Sequence, residues 1–150
     1  MIAAQAGEAD SNRFVSPEVI SEIKNNDIMR FTASESMGGL DQSCTRVGQE
    51  LEAIAAACSS TAWCLWNHLS TFHFFCGLLG PRHLDFLAGI VNKREWVCFP
   101  AGASTAVKGS QADQEISLQG RAAFGSGARY AEWSGVAFMH QDDQGPSFSM

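Results

Sequence analysis

The stretch that most restricts what this chain can fold into is "LEAIAAACSSTAWCLWNHLSTFHFFCGLL", Leu51 to Leu79, within an apolar, alanine-rich run that begins near Ser43. It contains no proline, and Gly80 and Pro81 follow it as a helix stop. Its length falls in the range of a membrane span. Glu50, Glu52, Asn67 and His68, with several Ser and Thr residues, make it a core helix instead, and no membrane partner is expected. One long helix over Ser43–Leu79 is therefore the element around which the rest must pack.

The flanking segments divide into two textures. Pro17 to Asn26 reads as a short helix, with Ser16 as N-cap, Pro17 at the first helical position and Val19, Ile20 and Ile23 as an apolar stripe. "SMGGLD" then breaks the pattern, and "RHLDFLAGIVN" reads as a further helix after the long one. Beyond Asn92 come short apolar runs separated by Gly, Ser and Asp. "EWVCFPA", "STAVKG", "QEISLQGRAAF" and "AEWSGVAFM" read as strands of an antiparallel sheet, with "SQAD" as a turn. Helices first and strands after give an α+β chain: a helical domain over 1–92 and a β domain over 93–150. There is no GxGxxG or GxxxxGK[ST] phosphate loop.

Composition excludes several classes of partner. At 150 residues and 45% apolar, the chain can bury a real core. A formal charge of −6, without clustered Lys and Arg, argues against nucleic acid. Cys44, Cys58, Cys64, Cys76 and Cys98 form no CxxC pair, and their number is odd. No basic signal segment precedes them, so reduced, mostly buried thiols in a cytoplasmic protein are expected. Cys64 and His68 are spaced to share a helix face. No second pair with ligand spacing joins them, so no metal site is expected.

"GRAAFGSGARYAEW", Gly120 to Trp133, keeps Ser126 uncrowded between Gly125 and Gly127, two positions after Phe124. Small residues let a bulky or flat object approach the backbone, so a ligand is one explanation. A tight turn between strands is the other, since Gly and Ser are ordinary turn residues.

Taken together, "ACSSTAWCLWNHL" in a long helix, strand "WVCFPAGAS" and "ISLQGRAAFGSGARYAEW" resemble the amino-terminal part of the acyl-CoA dehydrogenase fold. Within that fold they are most similar to two-component flavin-dependent monooxygenases, which hydroxylate aromatic or related small molecules with reduced flavin from a separate reductase. The most specific part is the pairing of "STAW" with "GR...FGSGA...W", and "MGG" at Met37 to Gly39 agrees.

The resemblance implies reduced flavin, FMN or FAD, with the Ser126 hydroxyl beside flavin N5. Phe124 would pack on the ring, and Gly125 and Gly127 would leave room for it. A second flavin-side stretch is implied at "CFPAGAS", with Phe99, Ala101, Gly102 and Ser104 near the ring. It also implies that His68 faces the substrate as a general base, with Trp63 and Phe72 lining the pocket. The residues alone equally allow a helix histidine satisfied by a carbonyl. His73 lies about 140° round the helix from His68, so the two cannot share a site.

The sequence departs from the family at Ser34, where proline is common, and at Ala122, where tryptophan is common. The resemblance further implies that the carboxy-terminal helical bundle is absent, and that a homo-oligomer or a second chain completes the site. Two other functions stay open: desaturation of an acyl thioester, and a non-catalytic remnant that binds another chain.

Overall fold

The local helix signals become helix ends in the structure, a computed structural model that describes residues 1–100, 107–112, 115–142 and 145–149. Helix α2 (Pro17–Asn25) starts at Ser16, which accepts the Val19 amide as expected, and its buried stripe is Val19, Ile20 and Ile23. It is preceded by α1 (Ile2–Asn12), which was not expected. That helix has no side-chain cap, buries only Ala9 and ends at Arg13 in a left-handed turn, so it lacks the signals that mark α2. Short 3-10 turns at Asp27–Arg30 and Glu35–Met37 carry the chain to α3.

The run from Ser43 to Leu79 is two helices rather than one. Helix α3 (Cys44–Ala57), capped by Ser43, stops where Cys58 turns extended, at φ −160° and ψ 108°, and α4 (Ser59–Leu79) begins again. Ser59 and Ser60 are poor interior helix formers, because their hydroxyls compete for backbone groups, and this explains why the break falls here. Helix α4 buries Thr61, Ala62, Leu65, His68, Leu69, Thr71, Phe72 and Phe75, a three-to-four-residue spacing that sets one face into the core. Its other face leaves Trp63, Trp66, Phe74 and Leu78 partly exposed. Gly80 ends it, and the Pro81–Lys93 segment, which contains α5 (Leu84–Lys93), leaves at 109°. Among the described residues no single helix is long and apolar enough to cross a membrane.

The strands are β1 (Val97–Cys98), β2 (Val107–Ala112), β3 (Glu115–Gly120), β4 (Trp133–Ser134), β5 (Phe138–Asp142) and β6 (Gly145–Ser149). The four-stranded sheet β3-β2-β5-β6 is mixed and the two-stranded sheet β1-β4 is parallel, which corrects the antiparallel expectation. Hairpin partners β2–β3 and β5–β6 are antiparallel, but β1 pairs with β4 and β2 with β5 in parallel. Parallel pairing requires a long crossover, and the sequence pattern within a strand does not encode it. Ser110, Gln111 and Ala112 of the expected "SQAD" turn belong to β2.

The segment Trp96–Cys98 joins the two halves. Trp96 packs with Val15, Val19, Ile23, Met29, Leu65 and Leu69, whereas Val97 packs with Ala33, Phe72, Phe75, Leu87 and Ile90. Neighbouring side chains on an extended segment point opposite ways, so one short segment serves both cores. The Glu132 carboxylate accepts the Trp96 amide at 2.6 Å and the Lys24 ammonium at 2.6 Å, tying strand, loop and α2 together. Replacing Glu132 by alanine leaves the buried Trp96 amide without its acceptor and is expected to lower stability by about 1–3 kcal/mol. Lys24→Met removes a partly exposed ion pair and the Lys24 Nζ bond to the Tyr130 carbonyl at 3.0 Å, and should cost about 1 kcal/mol, less than the Glu132 change. Urea unfolding of the two variants checks this, and equal losses would show that the ion pair carries the effect.

Candidate functional site

Residues 124–131 form a tight turn with specific backbone demands. Phe124 sits at φ 59°, in the left-handed region, and Gly127 at φ 80°. Amides of Ser126, Ala128 and Tyr130 donate to the carbonyls of Phe124, Gly125 and Gly127 at 2.9, 3.0 and 2.9 Å. The Tyr130 hydroxyl accepts from the Val15 amide at 2.8 Å and donates to the Val15 carbonyl at 2.9 Å, fastening the turn to the segment between α1 and α2.

Ser126 is held from the helical side. The Trp63 indole Nε1–H of α4 donates to its Oγ at 3.0 Å, across 63 residues of sequence. The serine hydroxyl proton has no acceptor among the described residues. Phe124, next to it, is 84% exposed, and Trp63 is 60% exposed. An apolar ring held in solvent on left-handed backbone is a costly local arrangement, of the kind that gathers at ligand sites.

The two glycines differ in their reason. A Cβ on Gly127 would stand 2.6 Å from Trp96 Nε1, so close packing and positive φ require glycine there, whereas the expectation was room for a ligand. A Cβ on Gly125 would meet Ala128 Cβ at 3.2 Å and Pro100 Cβ at 3.7 Å, which places this side of the turn against the end of the β1 segment. Phe99 is half-buried, with its ring 5.0 Å from that of Phe74 on α4 and its edge filling the space at Gly135. Ala101, Gly102 and Ser104 lie outside the described residues.

Clefts run along both sides of this constellation. One of about 360 Å³ lies between α1, α4 and the turn and includes Cys64, Ser126 and Arg129, and another of about 280 Å³ includes Asn67, Phe74 and Phe99. A larger cleft of about 660 Å³ adjoins the first at Phe14, Arg129 and Tyr130 and lies between α2 and residues 129–132. Lys24, Lys93 and Arg94 on its walls are paired with Glu132, Glu95 and Asp27, whereas Arg129, the fourth cation of its lining, has no carboxylate partner among the described residues and lies 4.9 Å over the Phe14 ring. Among the described residues no three His, Cys, Asp or Glu side chains gather as metal ligands.

His68 and Phe72 depart from the expected arrangement. His68 is only 2% exposed, and its Nδ1 accepts the Val97 amide at 3.1 Å. Its ring also hydrogen-bonds the Met29 backbone and lies 5.0 Å from the Trp96 ring. Burial pushes its pKa down to about 4, with a further small push from Lys24, while the Met29 bond and Glu132 oppose. A neutral imidazole spent on backbone groups inside the core does not face a substrate, and Phe72, at 4% exposure, is core as well. Burial pushes the Glu132 carboxyl up, but the Lys24 and Trp96 hydrogen bonds outweigh it and hold the group below the usual range.

Three solved structures share this arrangement of helices and strands. The 3-HSA hydroxylase from Rhodococcus sp. RHA1 superimposes with a TM-score of 0.81 at 19% identity, over 98% of this chain and 38% of that one. XiaF from Streptomyces sp., in complex with FADH2 and glycerol, gives 0.82 at 17% identity over 97% and 36%. The dibenzothiophene monooxygenase TdsC from Paenibacillus sp. A11-2, with FMN and indole, gives 0.83 at 18% identity over 97% and 38%.

The chain has the amino-terminal part of the acyl-CoA dehydrogenase fold. Identities of 17–19% establish the fold alone, and the chain spans 36–38% of these three proteins. No protein-family profile matches the sequence, and no curated protein matches it. Within this acyl-CoA dehydrogenase fold, the "FGSG" turn meets the "CFP" strand end at Gly125 and Pro100, and α4 reaches the turn through Trp63. Sequence reasoning named Trp63 as a pocket residue but missed its bond to Ser126, for which no local pattern exists.

The burial of His68 has a pH signature. An unfolded chain takes up a proton at this residue near pH 6.5, and the folded chain only near pH 4. The unfolded state therefore binds more protons within that window, so stability rises with pH across it and is complete above 6.5. Acidification from pH 7 to about 4 should remove up to about 3 kcal/mol through this group. His68→Gln is expected to flatten this part of the profile, measured by urea unfolding at pH 7 and pH 5. An unchanged slope would mean that other groups carry it.

Proposed function

We propose that the chain supplies one side of the flavin site of a flavin-dependent monooxygenase that acts on a small aromatic molecule, with reduced FMN or FAD delivered by a separate reductase. The observation that carries this is the Trp63–Ser126 pair beside the exposed Phe124. FADH2 in the XiaF structure and FMN in the TdsC structure support the cofactor class. The remainder of such a site comes from polypeptide equivalent to the rest of those proteins.

The residues present fit a flavin. Phe124 and Trp63 offer exposed aromatic surface for a flat ring system. Gly125 keeps the wall low beside Pro100. Ser126 Oγ receives the Trp63 N–H and retains a lone pair and its own proton for the N5 edge of the ring. When bound, reduced flavin supplies the electrons that activate O2 for oxygenation. The protein's part is to fix one hydroxyl at that edge and surround it with apolar groups that exclude water. His68 is a positioning residue in this scheme. It holds Val97, and thereby the strand that leads to Phe99, without touching flavin or substrate.

Anaerobic titration of the chain with reduced FMN tests the proposal. Saturable binding is expected, and Ser126→Ala should weaken it by one to two decades, because a hydrogen bond near a charged group contributes about 1.5–3 kcal/mol. Trp63→Phe keeps the aromatic surface but removes the donor, so its effect should be smaller and in the same direction. Circular dichroism should show unchanged folds. Full affinity in Ser126→Ala, or absence of saturable binding both in the chain alone and together with polypeptide that completes the site, would overturn the assignment.

A further inference from the structure

A second concave site lies on another side of α4, away from the 124–127 turn. It is a groove of about 330 Å³ between α3 and α4, within the size range of small-molecule sites. Val47 and Leu51 of α3 and Leu69 of α4 form its apolar floor, and Leu69 is 1% exposed. Ser126, Phe124 and Phe99 take no part in it.

Two features shape the groove. Gly48 lies in the interior of α3, where glycine weakens a helix. Its φ is not positive, and nothing lies within 4 Å of where its Cβ would stand, so neither backbone strain nor close packing calls for glycine. What Gly48 does is widen the groove. The second feature is the pair Trp66 and His73, both exposed at the rim. They are seven residues apart on α4, hence on nearly the same side of the helix and about 10 Å apart along it. Neither has a hydrogen-bond partner among the described residues. An aromatic contact sets ring centroids about 4.5–7 Å apart, so two rings leaving the helix at this spacing can flank one flat ring between them.

The lining contains no Asp, Glu, Lys or Arg among the described residues, so burying a charged ligand there would go uncompensated. Trp66 Nε1 and the His73 ring offer hydrogen bonds at the rim, and the Thr32 hydroxyl oxygen and Gln42 side-chain carbonyl, whose donors already bond the Leu69 and Leu40 carbonyls, can still accept there. We infer that the α3–α4 groove is a binding site for a neutral, flat aromatic molecule bearing a hydroxyl or carbonyl group, held between Trp66 and His73 over the floor that Gly48 leaves open. The inference does not depend on flavin binding at Ser126.

Ligand-observed NMR at pH 7 tests it on the 150-residue chain, with 2-naphthol as the neutral probe and 2-naphthoate as its anionic counterpart. Saturable binding of 2-naphthol is expected, with 2-naphthoate at least about tenfold weaker, the discrimination that a groove without cations imposes. Gly48→Trp fills the groove from an exposed helix position and should weaken 2-naphthol at least about tenfold. Trp66→Ala, which removes one flanking ring without adding bulk, should weaken it as well, each variant being checked for helix content. Full affinity in Gly48→Trp, equal affinity for the two probes, or displacement of 2-naphthol by FMN would each overturn the inference. FMN titration of Gly48→Trp is read separately, so failure of the groove and failure of the flavin site are distinguishable.

Discussion

Everything in the fold passes through the buried segment Trp96–Cys98, whose residues are at most 1% exposed and whose amides are satisfied partly by side chains. Trp96 gives its N–H to Glu132 and Val97 gives its N–H to His68. A buried amide without a partner costs as much as a lost hydrogen bond, so these two side chains are conditions for placing a strand between two helical cores. The arrangement also fixes the state of His68. An imidazole that accepts through Nδ1 inside a core must stay neutral, and burial keeps it so.

The turn at Ser126 follows from this segment. Trp96 presses its indole against Gly127 and admits no side chain there, while its carbonyl accepts the Glu132 amide at 2.9 Å. Tyr130 fixes the turn to Val15, and Trp63 draws the serine toward α4. A hydroxyl on a surface turn ordinarily samples several rotamers. Here it is referenced to three separate parts of the chain, which is what holding a group at one place on a ligand requires.

Helix ends were legible because they depend on a few adjacent residues. Ser16 and Pro17 begin α2, and Gly80 with Pro81 ends α4, each through local backbone chemistry. The break at Cys58 was missed because an apolar run continues across it. Helix α1 was missed because its sequence carries neither cap nor stripe. Four strand-bearing segments were found, but "AEWSGVAFM" holds parts of two strands, β4 and β5, β6 was not expected, and the strand partners were not legible. The pairing of Val97 with Trp133 spans a separation of 36 positions in the sequence and does not depend on either strand's pattern.

By itself the sequence determined the α+β order, the α2 and α5 helices, and a serine kept clear between two glycines, since all of these rest on contacts within about a turn of the chain. Tertiary structure alone decided which way each functional side chain faces. Periodicity put His68 on α4 but did not say that its ring would be spent on the backbone of Met29 and Val97, and it allowed Gly127 to make room for a ligand when Trp96 needs that room. It gave no sign that Trp63 would donate to Ser126. These outcomes depend on how elements distant in sequence stack against one another, and local pattern is silent about groups that meet only after the two cores close.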